Sequence, residues 1–221
     1  MKVTDIIVED VAIDEAEMHS GIMQVMKSQG YKFLGHGQDQ DAYLAPDGTI
    51  LKIFGYNARV GRNGFTEAQN GFVTFATYCQ QNPSNPFLPD FGGWEKFNFK
   101  GKQYLQIKCE RLFDLKGEWE DVGDELENLT GYIENRGVKT GLNAFLDHRF
   151  DNEDANKLIL LMGKEGLELF VKTLADIIKI GNAKGFGIDL HGGNFMLGSD
   201  GTLVINDPYF TGSFRGDSWD E

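Results

Sequence analysis

Asp189-Leu190-His191-Gly192-Gly193-Asn194, followed thirteen positions later by Asp207, is the stretch on which the reading of this chain turns. It sets an acid, an amide and a second acid around a short apolar hairpin. Phe195-Met196-Leu197 and Leu203-Val204-Ile205 are apolar runs separated by Gly198-Ser199-Asp200-Gly201-Thr202, a connection rich in turn formers. Folding there predicts Leu197 beside Leu203 and, at the open end, Asn194 beside Asp207. Directly opposed residues have Cβ atoms roughly 5 Å apart, so two such side chains can share one cation. Asp189 would lie on the loop entering the first strand. A base for an incoming hydroxyl and two oxygen ligands for Mg²⁺ are what metal-assisted phosphoryl transfer requires. Asp, Asn and Gly are also ordinary turn formers, and by itself the stretch fits a surface loop equally well.

Composition narrows the setting. A chain of 221 residues suits one domain or two lobes sharing a cleft. It is 41% hydrophobic, enough for a packed core, with no apolar run long enough to span a bilayer. Met1-Lys2-Val3-Thr4-Asp5 leads into further acids rather than an apolar stretch, so no signal peptide is expected. Cys79 and Cys109 stand in apolar or amphipathic surroundings, which favours a reducing cytoplasm over a disulfide framework or a zinc site. His19, His36 and His148 show no metal-ligand spacing. The formal charge of −13 argues against holding nucleic acid by its phosphates. Acid is concentrated at residues 118–127 and 151–154. Solubility is the simple reading of that acid, and attraction of basic partners the sharper one. Oligomeric state is not readable.

Along the chain, Asp14-Glu15-Ala16-Glu17 reads as a helix start with an acid three residues after the cap. Met18, Ile22, Val25 and Met26 supply its apolar stripe, and Gly30 its stop. Strands are expected at 31–34, 42–44 and 49–54, the last two joined by a Pro46-Asp47-Gly48 turn. A turn centred on Asp47 sets Ala42 opposite Lys52, and alternation puts Ile50 and Lys52 on one face with Ala42 beside them. Beneath Gly35-His36-Gly37, those residues would wall an adenine ring, with an ammonium reaching its phosphates. An edge-strand gatekeeper is the simpler reading of Lys52. Residues 66–81 read as helix, with Phe72, Phe75, Ala76 and Cys79 as apolar face and Glu67 as the only acid. Pro83, Pro86 and Pro89 then break regular structure. Two more strands are expected at 94–99 and 103–109. Beyond them helix dominates: residues 158–162 look buried, and Leu167, Phe170, Val171, Leu174, Ile177 and Ile178 fit a long core helix ending between Gly181 and Gly185.

These motifs, in this order, resemble the protein-kinase-like superfamily. Leu34-Gly35-His36-Gly37 with Ala42 is similar to the glycine-rich loop and the small residue that covers adenine. Ile50-Leu51-Lys52 resembles the strand ending in the phosphate-binding lysine, with Glu67 as its ion-pair partner. Cys109-Glu110-Arg111-Leu112 is similar to the hinge, whose backbone would bond adenine. Asp189 to Asn194 keeps the catalytic-loop spacing from base to metal-binding amide, and Asp207 stands at the metal-binding acid. More narrowly, residues 30–37, Ala42-Tyr43, residues 186–196 and Asp207-Pro208 resemble the early serine/threonine kinases of T7-like bacteriophages. The likeness covers about residues 20–215 and is thin in the acidic middle.

The resemblance implies an α+β, two-lobed fold. A small antiparallel-sheet N-lobe would cover residues 1–112, with an N-terminal helix, the glycine-rich loop, one further helix and the hinge. A reduced, mainly helical C-lobe would cover 113–221, with the catalytic loop and the metal-binding hairpin. It implies ATP- and Mg²⁺-dependent transfer of the γ-phosphate to serine or threonine of host proteins, in the host cytoplasm. Asp189, Lys52 and His191 would be catalytic, and Asn194 and Asp207 would hold metal. Gly35, Gly37, Ala42, Ile50, Lys52, Glu67, Glu110 and Leu112 would bind the nucleotide.

Four departures shape the alternatives. Gly187-Ile188 replaces the usual His-Arg, which implies activity without activation-loop phosphorylation. Gln40 replaces the third loop glycine, and Pro208-Tyr209 replaces Phe-Gly after the metal acid. Only fourteen residues follow Asp207, too few for a helical substrate-docking subdomain. His191 stands where protein kinases have lysine, and its His-Gly pair is similar to aminoglycoside and choline phosphotransferases. That likeness implies a γ-phosphate contact; a histidine capping the loop is the plainer role. A small-molecule phosphotransferase using the same site therefore stands as a second expectation. A catalytically silent kinase-like module, inhibiting a partner through its acidic surface, is a third. Retention of Lys52, Asp189, Asn194 and Asp207 together favours chemistry.

Overall fold

Period-two alternation in the first half of the chain builds one antiparallel sheet. Its strands are β1 (Lys32–His36), β2 (Gln40–Leu44), β3 (Ile50–Phe54), β4 (Phe91–Phe99) and β5 (Lys102–Cys109), in the order β1-β2-β3-β5-β4. The computed structural model describes residues 15–36, 40–54, 71–148 and 153–210. Asp14, Gly37, Glu67 and the expected helix start at 66–70 lie outside them. Two units emerge, residues 1–68 with 90–111, and residues 69–89 with 112–221.

In the first unit, helix α1 (Glu15–Ser28) covers one face of the sheet. Its Ile22 and Met26 are buried with Tyr43, Leu51, Ile53, Phe97, Phe99 and Tyr104. Each such side chain contributes about 1.5–3 kcal/mol when fully buried, so the cluster outweighs the weak intrinsic stability of short strands. The Pro46-Asp47-Gly48 turn forms as expected. Asp47 Oδ1 accepts from the Thr49 hydroxyl at 2.6 Å, and Lys108 Nζ reaches Oδ2 at 2.6 Å from β5. That lysine, with Thr49, holds the Asp47 carboxyl well below the usual carboxylate range. The opposite face carries the buried residues Ile50, Phe54, Leu105, Ile107 and Cys109.

The second unit is helical, with two small strand pairs. Helices α2 (Gly71–Gln81), α3 (Gly123–Arg136), α4 (Val138–His148) and α5 (Glu153–Lys184, broken by a non-helical Gly163 at φ 65°) precede β6 (Gly187–Ile188), β7 (Phe195–Leu197), β8 (Leu203–Ile205) and β9 (Tyr209–Phe210). β6 pairs with β9, and β7 with β8. Phe170 of α5 anchors the interior, 5.1 Å from the Phe87 ring and 6.1 Å from Phe195 of β7. No described helix is long and apolar enough to cross a membrane.

Three expectations need correction. A boundary at 112 assigns helix 71–81 to the sheet lobe, whereas α2 belongs to the second unit: Phe75 meets Tyr209 edge-on, and the Tyr78 hydroxyl faces Asp176 of α5 at 3.5 Å. Chain order does not dictate packing when one helix is apolar on so wide a face. Residues 158–162 are not a buried run, because Leu158 is fully buried but Leu160 is 82% exposed. Five successive residues circle a helix, and only one side of α5 meets the interior. Nor is the 118–127 segment uniformly surface acid: Glu125 is buried in the first turn of α3 beside Leu126 and Leu129.

Candidate functional site

The hairpin after Asn194 forms with Leu197 opposite Leu203 as expected, together with the pairs Phe195↔Ile205 and Met196↔Val204. At its open end the Asn206 N–H donates to Asn194 O at 2.7 Å, so Asn206, and not the expected Asp207, stands opposite Asn194, and Asp207 lies one residue further along. The Asn194 side chain closes the site. Its Nδ2 donates to the main-chain carbonyl of Asp189 at 2.6 Å and to that of Asp207 at 3.2 Å. Both bonds use the amide nitrogen, so Asn194 Oδ1 is turned away from the two carbonyls. The Asp189 N–H donates to Pro208 O at 2.9 Å, which ties the two acid-bearing segments together a second time.

Asp207 has φ 44°, in the left-handed region. Among the described residues Lys100, in the β4–β5 turn, is the one other non-glycine there. Such a conformation costs roughly 1–2 kcal/mol for an L-residue, and the structure around it must over-determine it.

His191 caps the loop. A single 3₁₀ turn spans Gly192–Asn194, and His191 Nδ1 accepts from the Gly193 N–H at 3.1 Å. An accepting Nδ1 carries no proton, so in the neutral ring the proton sits on Nε2. That Nε2 stands 3.9 Å from Asp189 Oδ1, close but beyond hydrogen-bond reach. The two consecutive glycines have steric causes. A Cβ on Gly193 would lie 2.9 Å from His191 Cε1, and one on Gly192 would lie 3.3 Å from the carbonyl carbon of Gly123. Glu127 of α3 then accepts from the Gly192 N–H through Oε2 at 3.2 Å. Sequence reasoning missed Glu127, because nothing in an acidic run marks one member as a backbone acceptor.

In the first unit the cross-strand pairs Gly35↔Ala42, Ala42↔Lys52 and Lys52↔Ile107 form a single row. The expected opposition of Ala42 and Lys52 is met. Lys52 lies on the face away from α1, and Ile50 is its neighbour on that face, two residues along β3. Among the described residues a Cβ added to Gly35 would meet nothing within 4 Å, so their packing does not require glycine there. At the end of β5 the Glu110 N–H donates to Asp90 O at 3.0 Å, and Glu110 Oε1 accepts from the Asp90 N–H at 2.8 Å. The hinge reading must therefore use the Glu110 carbonyl rather than its N–H. Glu110 lies in the first unit and Leu112 in the second. The structure thus gathers Gly35, Ala42, Ile50 and Lys52 in one place and Asp189, His191, Asn194 and Asp207 in another, one set in each unit.

Asp189, Asn194 and Asp207 offer carboxylate and amide oxygens, the hard donors that Mg²⁺ prefers. Among the described residues no three His, Cys, Asp or Glu side chains cluster to hold a metal by themselves. Mg²⁺ commonly takes one or two protein carboxylates and completes its shell with water and phosphate oxygens, so the residue set fits it. No protein-family model matches the chain, and no curated protein matches it.

Proposed function

We propose that this chain is an ATP- and Mg²⁺-dependent phosphotransferase of the protein-kinase-like kind, moving the γ-phosphate to serine or threonine hydroxyls of proteins. The observation that supports it best is the Asn194 carboxamide, bonded at once to the backbone of Asp189 and of Asp207. An ordinary polar turn has no need to draw a base, an amide and a second acid into one cluster, with the second acid in a strained conformation. The Gly35–Ala42–Lys52 row adds a small-residue surface with a cation, as a nucleotide's base and phosphates require.

In this reading the Asp189 carboxylate, 45% exposed, orients the incoming hydroxyl and accepts its proton. The bond from that oxygen to the γ-phosphorus forms as the bond to the bridging oxygen breaks, and ADP leaves. Lys52 holds phosphate oxygens, Ala42 and Ile50 wall the base, and Gly35 lets the backbone approach. His191, held by its cap on Gly193, presents Nε2–H beside Asp189, where it can donate to a phosphate oxygen. Asn194 Oδ1 and the Asp207 carboxylate would hold Mg²⁺, which supplies charge neutralisation at the phosphates. Gly37 and Glu67 keep the roles that the resemblance implies for them. The acidic surface suits basic host proteins as substrates, in the host cytoplasm.

Purified protein with labelled ATP, Mg²⁺ and a cell lysate should label proteins, and Asp189→Ala should abolish the signal. Labelling that survives this substitution removes Asp189 as the base. Labelling confined to a small molecule selects the aminoglycoside/choline-kinase type of reaction. Absence of both labelling and an ATP-induced thermal shift selects the silent binding module.

A further inference from the structure

We infer that Tyr209 is a positioning residue, whose buried ring and hydroxyl hold Asp207 in its left-handed conformation and so hold Asp207 and Asp189 in one rigid turn. The inference rests on the reading of those two acids as the reacting site. Tyr209 is 5% exposed, and its hydroxyl donates to the Ile177 carbonyl of α5 at 2.7 Å. Its ring lies 6.4 Å from Phe75 of α2 and 5.6 Å from Phe186. Two glycines make room for it: a Cβ on Gly71 would sit 2.7 Å from Tyr209 Cβ, and one on Gly181 would sit 2.8 Å from its ring. The backbone beside it is equally tied, since Tyr209 pairs with Ile188 and Pro208 O accepts from the Asp189 N–H.

Asp207 therefore sits between two clamps, the Asn206–Asn194 bond before it and the Tyr209 anchor after it. Pro208 would by itself draw Asp207 toward extended backbone, so the φ of 44° has to be held by these surroundings. A left-handed residue tied on both sides is kept from relaxing to an extended conformation. The aromatic residue that fixes it stands two positions after the acid, bonded to a helix carbonyl, and not immediately after it.

Tyr209→Phe keeps the ring and removes only the hydroxyl. Hydrogen exchange on the full chain should then show the Asp189 and Asn206 amides exchanging about five- to tenfold faster, the equivalent of one lost hydrogen bond. The Leu126 amide of α3, bonded to Val122 O, should stay unchanged. Glycine adopts positive φ without penalty, so in an Asp207→Gly background the same hydroxyl loss should change those amides by less than about twofold. An equal loss in both backgrounds, or a loss spread evenly to α3, overturns the inference and leaves Tyr209 as core packing. Where wild type labels protein, Tyr209→Phe should raise the half-saturating Mg²⁺ concentration about tenfold, and an unchanged value overturns the inference. A wild type that labels nothing removes the phosphotransfer reading, and the exchange cycle still decides what Tyr209 holds.

Discussion

The Asn194 carboxamide donates to two main-chain carbonyls, so its replacement separates geometry from ligand chemistry. Asn194→Asp preserves side-chain oxygens but removes both donors and turns a carboxylate toward two carbonyl oxygens. We expect a loss of about 1–3 kcal/mol in urea unfolding together with loss of labelling. Unchanged stability would mean that the two bonds do not hold the loop. Gly193→Ala tests the cap: the new Cβ would meet His191 Cε1 at 2.9 Å and displace the ring from the Gly193 N–H. Labelling should fall at least about tenfold, with a stability change near the worth of one hydrogen bond, about 1 kcal/mol. At this scale the sequence was informative about which residues meet and silent about which atoms. Alternation and a five-residue turn bring Asn194 within one residue of Asp207, but do not show that its nitrogen seeks backbone carbonyls. Tyr209 and Glu127 gave no signal, because their partners are main-chain groups far along the chain.

Among the elements, α2 shows most clearly how tertiary contacts override position in the chain. Its apolar face was legible as Phe72, Phe75, Ala76 and Cys79, all buried. Where that face packs was not, since an apolar stripe names no partner. One consequence can be measured. Burial first, and then the Asp176 carboxylate, push the Tyr78 phenol up from 10.0 to about 12. Burial also raises Tyr209. A phenol whose folded pKa is raised stays protonated in the native state after the unfolded chain has begun to ionise. Its contribution is complete below pH 10.0 and is lost as pH climbs toward about 12. Chemical denaturation should show stability falling across that window, with a shallower fall in Tyr78→Phe; identical slopes would exclude Tyr78 as a cause. In the sheet, Ile53 is fully buried against α1, and Ile53→Ala should cost about 2–5 kcal/mol by the same measurement. Its place was readable, because strict alternation opposite Lys52 leaves it only the core face.

Across the molecule, the sets of residues read as one site are held by separate units, Lys52 by the first and Asp189 by the second. If they serve one transition state, Lys52→Ala, Asp189→Ala and the double variant should all reduce labelling to the same residual level, because residues acting as a unit are not additive. Multiplying losses in the double variant would show that they act apart. The α+β composition, the β2–β3 register and the acid–amide–acid hairpin followed from the sequence alone. Each depends on contacts between residues a few positions apart, where period-two alternation and turn chemistry leave little choice. Only the tertiary structure decided that α2 joins the second unit, that Glu125 is buried while Leu160 is exposed, and that Glu127 and Tyr209 bind backbone from a distance. Those outcomes rest on contacts between distant segments, where an apolar face or a lone hydroxyl fits many partners until the packing of the whole selects one.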